Sequence, residues 1–98
     1  MSECKLSRRV VINNRNGLHM RPGELFVRQA VQFESKIEIM NGAQRVDGKS
    51  LLEILTLGAE KGTELEIEAS GPDAEAALDA LTEFLEQESI DDETTDQP

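Results

Sequence analysis

The single histidine of this 98-residue chain lies in a setting that suits phosphoryl chemistry. His19 follows a glycine-containing turn and precedes an amphipathic segment, which places it at the N-terminus of a helix. Helix N-termini present unpaired N–H groups and the positive end of the helix dipole, and both favour bound anions. Arg21 adds a positive charge two residues later. Because a neutral imidazole is a usable nucleophile near neutral pH, this segment predicts a phosphohistidine site.

The local chemistry leaves a second interpretation of His19 open, in which it is only a residue at the start of a helix. Other site classes lack their residues. A metal site or a Ser–His or Cys–His pair is not supported, since the chain has no second histidine and no nucleophile in a glycine-rich elbow. No Walker-type phosphate loop occurs, and Cys4 has no second cysteine to pair with. We therefore expect neither a metal nor a cofactor.

A second segment, residues 48–58, joins a serine to several leucines. Ser50 suits a helix N-cap, with Glu53 three residues later as in a capping box. A phosphate on Ser50 would gain from the helix dipole and would add negative charge beside the leucines. If Ile54 and Leu57 face the core, three leucines point elsewhere: Leu51, Leu52 and Leu55. These three either complete the core or form an exposed patch for a protein partner.

Seven elements must position these segments. Apolar residues alternate within 5–12, 36–40, 43–47 and 63–69, which predicts four strands, and they recur every three to four residues within 20–33, 50–57 and 73–85, which predicts three helices. Asn41 and Gly42 predict a type I′ turn with both residues at positive φ. The order βαββαβα predicts an α+β fold, an open-faced two-layer β-sandwich whose four-stranded antiparallel sheet carries three helices on one face.

One face of the sheet is expected to be buried and the other wet. Leu6, Val10 and Ile12 of the first strand should point toward the helices. Arg9 and three glutamates of the last strand should face water: Glu64, Glu66 and Glu68.

The formal charge of −10 argues against a protein that coats nucleic acid or seeks anionic lipid. The charge is uneven, because residues 1–28 hold six basic and two acidic side chains whereas residues 60–98 hold fourteen acidic side chains and one lysine. His19 therefore lies in a cationic quarter of the chain. No apolar stretch approaches the roughly 20 residues of a membrane span, and no secretory signal is visible. We expect a cytoplasmic monomer that contacts neither nucleic acid nor membrane.

The length suits one domain. We expect residues 1–87 to form it and residues 88–98 to be an acidic, disordered tail, because residues 86–98 carry six acidic side chains and almost nothing to bury.

Together, two motifs resemble the histidine-containing phosphocarrier (HPr) family of the bacterial phosphotransferase system. They are Gly17-Leu-His-Met-Arg-Pro22 and Gly48-Lys-Ser-Leu-Leu52, and the glycines of Leu57-Gly58 and Lys61-Gly62 follow at the family's spacing. The resemblance covers about residues 5–87. It implies an open-faced β-sandwich and a stoichiometric carrier with no turnover of its own. His19 would accept a phosphoryl group on Nδ1 from Enzyme I and pass it to IIA-type proteins.

The same resemblance implies further roles. Arg21 matches the arginine that neutralises the phosphoryl group, Pro22 matches the helix-initiating proline, and Asn16 lies where a polar side chain stands near the imidazole. Asn16, Met20 and Pro22 would help to hold the phosphoryl group. Ser50 matches the serine modified by HPr kinase/phosphorylase in organisms that have this enzyme. The patch that docks on Enzyme I, the IIA-type proteins and the kinase would consist of Met20, Leu51, Leu52 and Leu55.

Several residues depart from the family pattern. Met20 replaces the usual Ala or Thr, Gly23 and Glu24 replace the small residues usual after the proline, and Glu53 stands where Gly or Lys is common. Glu24 would repel a phosphoryl group on His19 unless its carboxylate points away. An alternative function is therefore regulatory: an HPr-like protein for carbon or nitrogen control that binds targets according to its phosphorylation state, without sugar transport.

Overall fold

The structure is a computed structural model and describes residues 4–88. Its elements follow the predicted order βαββαβα: β1 (Lys5–Val11), α1 (Met20–Ala30), β2 (Lys36–Asn41), β3 (Gln44–Asp47), α2 (Leu51–Leu55), β4 (Glu64–Ser70) and α3 (Ala74–Glu86). The strands form one antiparallel sheet in the order β1-β4-β2-β3. Helix α3 packs on β1 and β4, α2 packs on β3, and α1 packs on both other helices. The predicted open-faced α+β sandwich is confirmed. The predicted tail lies outside the described residues except for Glu88.

An aliphatic core fills the space between the sheet and the helices. Ile37 and Ile39 of β2 and Leu65 and Ile67 of β4 are fully buried. Helix α3 buries the predicted stripe of Ala74, Ala77, Leu78, Leu81, Phe84 and Leu85. Burial of one large aliphatic side chain is worth about 1.5–3 kcal/mol. The stripe therefore accounts for the attachment of α3 to the sheet.

The opposite face of the sheet carries cross-strand ion pairs. Arg9 lies 3.5 Å from Glu64, and Arg45 lies between Glu38 and Glu68. These groups are partly or fully exposed, so each pair contributes little to stability. The prediction of a charged, open face is confirmed.

The inward face of β1 is less apolar than predicted. Val10 and Ile12 are buried, but 37% of the Leu6 surface is exposed. Strand β1 lies at the edge of the sheet and has a neighbour on one side only. Between these residues, the Arg8 guanidinium donates a hydrogen bond to the Asp79 carboxylate of α3 at 2.6 Å.

The predicted type I′ turn at Asn41 and Gly42 is wrong by one residue. Asn41 still pairs with Gln44, so the two-residue loop consists of Gly42 and Ala43. Of these two loop residues, Gly42 alone has a positive φ, 63°, which fits a type II′ turn with glycine at its first central position.

Two helices are shorter than their apolar patterns predicted. Helix α1 ends at Ala30, and Val31, which the pattern assigned to the apolar stripe, is 54% exposed. Helix α2 ends at Leu55 and is followed by Gly58 at φ 57°. The last turn of an apolar pattern continues into the loop because loop residues also pack on the core, as Leu57 does.

Candidate functional site

His19 is the N-cap residue of α1. Its backbone is extended, and its carbonyl accepts the Gly23 N–H at 2.7 Å, which starts the helix. The imidazole makes no capping hydrogen bond and the residue is exposed. A ring nitrogen of His19 is therefore accessible to a protein partner.

The loop before His19 is held by buried hydrogen bonds. The Asn14 side chain is fully buried and donates to the Gly17 carbonyl at 3.1 Å, while the Gly17 N–H donates to the Asn14 carbonyl at 2.9 Å. Leu18 is buried, and its N–H donates to the Ala59 carbonyl at 2.9 Å. These bonds fix the backbone on the N-terminal side of His19.

Gly17 is required by this arrangement. Its φ is 66°, and a Cβ at this position would lie 2.5 Å from the Ala59 carbonyl oxygen. Any larger residue would push the loop away from the segment at Ala59, whose carbonyl accepts the Leu18 N–H.

Asn14 and Ala59, which position the loop before His19, are not identifiable from the sequence as determinants of the site. Asn14 lies in the turn-forming run 13–17, and the sequence distinguishes it only as an asparagine three residues before Gly17. Ala59 lies some forty residues away along the chain, and no local pattern connects it with His19.

An open depression of about 490 Å³ surrounds His19. It is lined by Arg15, Asn16, His19, Met20, Arg21, Pro22 and Glu60. The structure thus brings together all five residues that the resemblance assigned to the phosphoryl site. Two arginines and one glutamate make the depression cationic, with Arg15 and Glu60 as contributors that the prediction did not include.

Backbone donors add to this positive charge. The first N–H groups of an α-helix have no intrahelical partner, and in α1 these include the N–H groups of Met20 and Arg21. Pro22 has no N–H and so adds no further unpaired donor to the first turn. The start of α1 therefore directs N–H groups and the positive end of the helix dipole toward an anion on His19.

Glu24 lies beside Arg21 rather than in the depression. Its Oε1 is 3.6 Å from Arg21 Nη1, and its Oε2 is 3.9 Å from Arg28 Nη2. Glu24 does not line the depression. Of the two orientations that the sequence left open for Glu24, the structure shows the one in which its carboxylate points away from the depression and pairs with two arginines along α1.

Ser50 is the N-cap residue of α2, as predicted, but the capping box is only half formed. The Ser50 hydroxyl accepts the Glu53 N–H at 3.3 Å. The Glu53 carboxylate accepts the Asp47 N–H at 2.8 Å rather than the N–H of Ser50, which donates to the Asp47 carbonyl. The Asp47 carboxylate accepts the Lys49 N–H at 2.9 Å, so the carboxylates of Asp47 and Glu53 are both bonded to the backbone just before Ser50.

The apolar residues of segment 51–57 divide between core and surface. Ile54 and Leu57 are buried, whereas Leu52 is 78% exposed. Leu51 and Leu55 are half-buried, and Met20 of α1 is 60% exposed. We call Met20, Leu51, Leu52 and Leu55 the apolar patch.

Gly23 joins the apolar patch to the His19 depression. A Cβ on Gly23 would lie 3.1 Å from Leu51 Cδ1, so α1 and α2 approach closely one turn after His19. This close packing gives Gly23 a structural reason for its place after the proline.

Two other kinds of feature are absent from residues 4–88. No group of three or more His, Cys, Asp or Glu side chains in this part of the chain is arranged to hold a metal ion. Within the same residues, no helix has the length and apolar character needed to cross a membrane.

Comparison with known proteins gives one family. The family model described as the PTS HPr component phosphorylation site matches residues 6–87. The chain is 40% identical over 84 residues to the phosphocarrier protein HPr of Treponema pallidum, covering 86% of this chain and 94% of that relative. The structure resembles the crystal structure of the phosphocarrier protein HPr from Bacillus anthracis, with a TM-score of 0.82, 35% identity, and coverage of 84% of this chain and 98% of the other.

Longer proteins contain a similar segment. Over 73 residues, 71% of this chain, the sequence is 47% identical to the multiphosphoryl transfer protein of Vibrio cholerae. The chain spans only 18% of the length of that relative. The similarity therefore concerns one segment of a larger protein.

Proposed function

The chain belongs to the HPr family of the phosphotransferase system, and from this premise we propose that it is a phosphoryl carrier whose acceptor is His19. The observation that carries the proposal is the exposed imidazole at the start of α1, in a depression that also holds Arg15 and Arg21. The carrier would be stoichiometric, because each molecule receives one phosphoryl group and passes it on.

The proposed step transfers a phosphoryl group from an atom of the donor protein to a ring nitrogen of His19. A neutral ring nitrogen of His19, Nδ1 by family resemblance, attacks the phosphorus of the donor. The bond between phosphorus and the donor breaks as the N–P bond forms, and the reverse exchange delivers the group to the acceptor. Such transfers depend mainly on positioning and on neutralisation of the phosphoryl oxygens. The N–H groups of Met20 and Arg21 and the Arg21 guanidinium are suited to that neutralisation, with Asn16, Met20 and Pro22 shaping the depression.

The proposed partners are other proteins of the phosphotransferase system in the cytoplasm. Enzyme I would be the donor and IIA-type proteins would be the acceptors. The chain would act as a monomer, and each partner would dock in turn on the apolar patch. A small exposed patch beside the reactive group favours short-lived complexes, which a carrier requires. The depression that the described residues form around His19 is open to solvent, which suits access by a protein partner.

Incubation with phosphoenolpyruvate and Enzyme I of the same bacterium tests the acceptor. We expect one acid-labile phosphoryl group by intact mass spectrometry, and none on the His19→Gln variant. Because His19 is the sole histidine, the variant removes every possible phosphohistidine. An unmodified wild-type chain beside a competent control carrier would contradict the proposal.

We also propose Ser50 as a regulatory site that controls docking. A phosphate there would place two negative charges beside the apolar patch and would weaken apolar docking. The neighbouring carboxylates of Asp47 and Glu53 oppose that charge. We therefore expect HPr kinase/phosphorylase with ATP to modify Glu53→Gln faster than the wild type, with Ser50→Ala as the unmodified control. Equal rates for Glu53→Gln and wild type would contradict this role of the flanking charge.

A further inference from the structure

We propose that Glu24 is a positioning residue for phosphoryl transfer, which competes with the phosphoryl group on His19 for the guanidinium of Arg21. The inference rests on the proposed function and adds to it a residue at which this chain departs from its family. No proton or phosphoryl group passes to Glu24. Only the ion pairs around it change.

Three side chains of α1 carry the argument. Arg21, Glu24 and Arg28 are spaced three and four residues apart, so they lie on one face of the helix. The two carboxylate oxygens of Glu24 face different arginines, at 3.6 Å from Arg21 and 3.9 Å from Arg28. All three side chains are about half exposed or more. Ion pairs of this kind are weak, so they can exchange without disturbing the helix.

Arg21 pairs with Glu24 along α1 and also lines the depression around His19. It lines the depression with His19, whereas within residues 4–88 its only ion pair is with Glu24. A phosphoryl group on His19 would attract the guanidinium with greater charge than a carboxylate does. Arg21 would then turn from Glu24 toward the phosphoryl oxygens.

Arg28 makes this exchange possible. When Arg21 moves, Glu24 keeps its pair with Arg28 and is not left without a counter-charge. The phosphorylated state nevertheless loses the Arg21–Glu24 attraction that the unphosphorylated state has. Glu24 therefore makes phosphohistidine less stable in this chain and favours transfer of the group to the next protein.

A competition for phosphoryl groups measures this effect. ¹⁵N-labelled wild type and an unlabelled variant share limiting phosphoenolpyruvate through catalytic Enzyme I, and mass spectrometry gives the phosphorylated fraction of each at equilibrium. We expect Glu24→Gln to retain the group about two- to fivefold more strongly than wild type, the range of an exposed ion pair. The preference should shrink in about 1 M salt, where such pairs are screened. Glu83→Gln, an exposed glutamate of α3, controls for loss of one negative charge and should share equally.

A second background separates positioning from direct repulsion. If Glu24 acts through Arg21, Glu24→Gln should change nothing in a chain that already carries Arg21→Gln. An undiminished preference in the Arg21→Gln background would overturn the proposal, because Glu24 would then act on the anion itself. Equal sharing between wild type and Glu24→Gln would also overturn it.

Chemical phosphorylation distinguishes failure of this inference from failure of the carrier function. Phosphoramidate loads an imidazole without Enzyme I, as its P–N bond breaks, ammonia leaves and a new P–N bond forms on His19. We expect loading to shift the NMR signal of the Arg21 Nε–H, and Glu24→Gln to shift it in the unloaded protein. An Arg21 signal that responds to neither change overturns the Glu24 proposal. Loading by phosphoramidate but not by Enzyme I overturns the carrier function alone.

Discussion

Gly17 sets the position of His19 through the backbone rather than through chemistry. Its positive φ turns the chain into α1, and its lack of a Cβ allows the Ala59 carbonyl to approach and bind Leu18. The position of the His19 imidazole therefore depends on a residue that carries no functional group. The Gly-Leu-His spacing in the motif has this physical cause.

Gly17→Ala should be more destabilising than a positive φ alone would make it. The left-handed conformation costs a non-glycine residue about 1–2 kcal/mol, and the clash with Ala59 adds a term typical of overpacking, about 1–3 kcal/mol. Urea unfolding measures the loss. Gly58→Ala is the matched control, since Gly58 has φ 57° and open space around it, and we expect only the first term there. Equal losses in the two variants would show that the close approach has no energetic consequence.

At the scale of elements, Asp73 links the loop before β2 to the start of α3, two segments that lie far apart along the chain. Its carboxylate accepts the N–H groups of Glu34 and Ser35 at 2.9 Å each and the Ser35 hydroxyl at 2.6 Å. These bonds tie the loop between α1 and β2 to the start of α3. They hold the pKa of the Asp73 carboxyl below its usual value, with the Ser35 hydroxyl as the largest cause. From the sequence, Asp73 was only a residue at which a helix could begin.

The lowered pKa of Asp73 predicts the direction of a pH effect on stability. Protonation is less favourable in the folded chain than in the unfolded one, so the contribution is complete above the unfolded pKa, about 3.9, and is lost as pH falls through the folded pKa. We expect Asp73→Asn to lower the urea midpoint at neutral pH, and the gap from wild type to close in acid below about pH 4.

A surface aspartate provides the control for that titration. Asp79→Asn removes a largely exposed carboxylate whose one ion pair within residues 4–88 is with Arg8. Its effect on the urea midpoint at neutral pH should be smaller than that of Asp73→Asn. A gap between wild type and Asp73→Asn that persists unchanged in acid would contradict the role of the charged carboxylate.

Existence of the elements was predictable, whereas several of their ends were not. The stripe of α3 and the alternation of β4 come directly from burial of one face, and all their inward residues are buried. The end of α1 depends on where the chain must turn toward β2, so Val31 leaves the helix although its spacing fits. The hairpin shifted by one residue because strand pairing extends to Asn41 and Gln44, a choice that local turn preferences do not determine.

At the scale of the whole molecule, His19 lies in a locally cationic depression of a chain whose formal charge is −10. Arg15 and Arg21 face the depression at the start of α1, while the glutamates of β4 lie on the far side of the sheet. Sequence arithmetic located the cationic quarter, and the motif identified five residues of the depression. Arg15 and Glu60 joined them only through folding, because their place depends on how the loops before α1 and after α2 meet.

Docking on the apolar patch should be separable from stability. Leu52 is 78% exposed, so Leu52→Ala should leave the free energy of unfolding within about 0.5 kcal/mol of wild type. If the patch binds Enzyme I, the same change should raise the KM for the carrier about five- to tenfold, as loss of an apolar contact at the centre of an interface does. Steady-state transfer from phosphoenolpyruvate measures this KM.

Val31→Ala is the matched control for Leu52→Ala. Val31 is also exposed and apolar, but it lies at the opposite end of α1 from His19. Its truncation should leave both stability and KM unchanged. Equal KM values for Leu52→Ala and wild type would remove the apolar patch from the docking surface.

The hydrogen bonds that hold the loop before His19 have a consequence for protein synthesis. That loop is anchored to segments made much later, since Leu18 bonds to Ala59, Ile12 to Thr63 and Asn13 to Leu85. His19 leaves the ribosome early, but its neighbours cannot hold it until residue 85 has emerged from the exit tunnel. A nascent chain that lacks these later segments thus exposes His19 without the hydrogen bonds that anchor its loop. If His19 is the acceptor, as we propose, we expect competence for phosphoryl transfer only when nearly all of residues 4–88 have been translated.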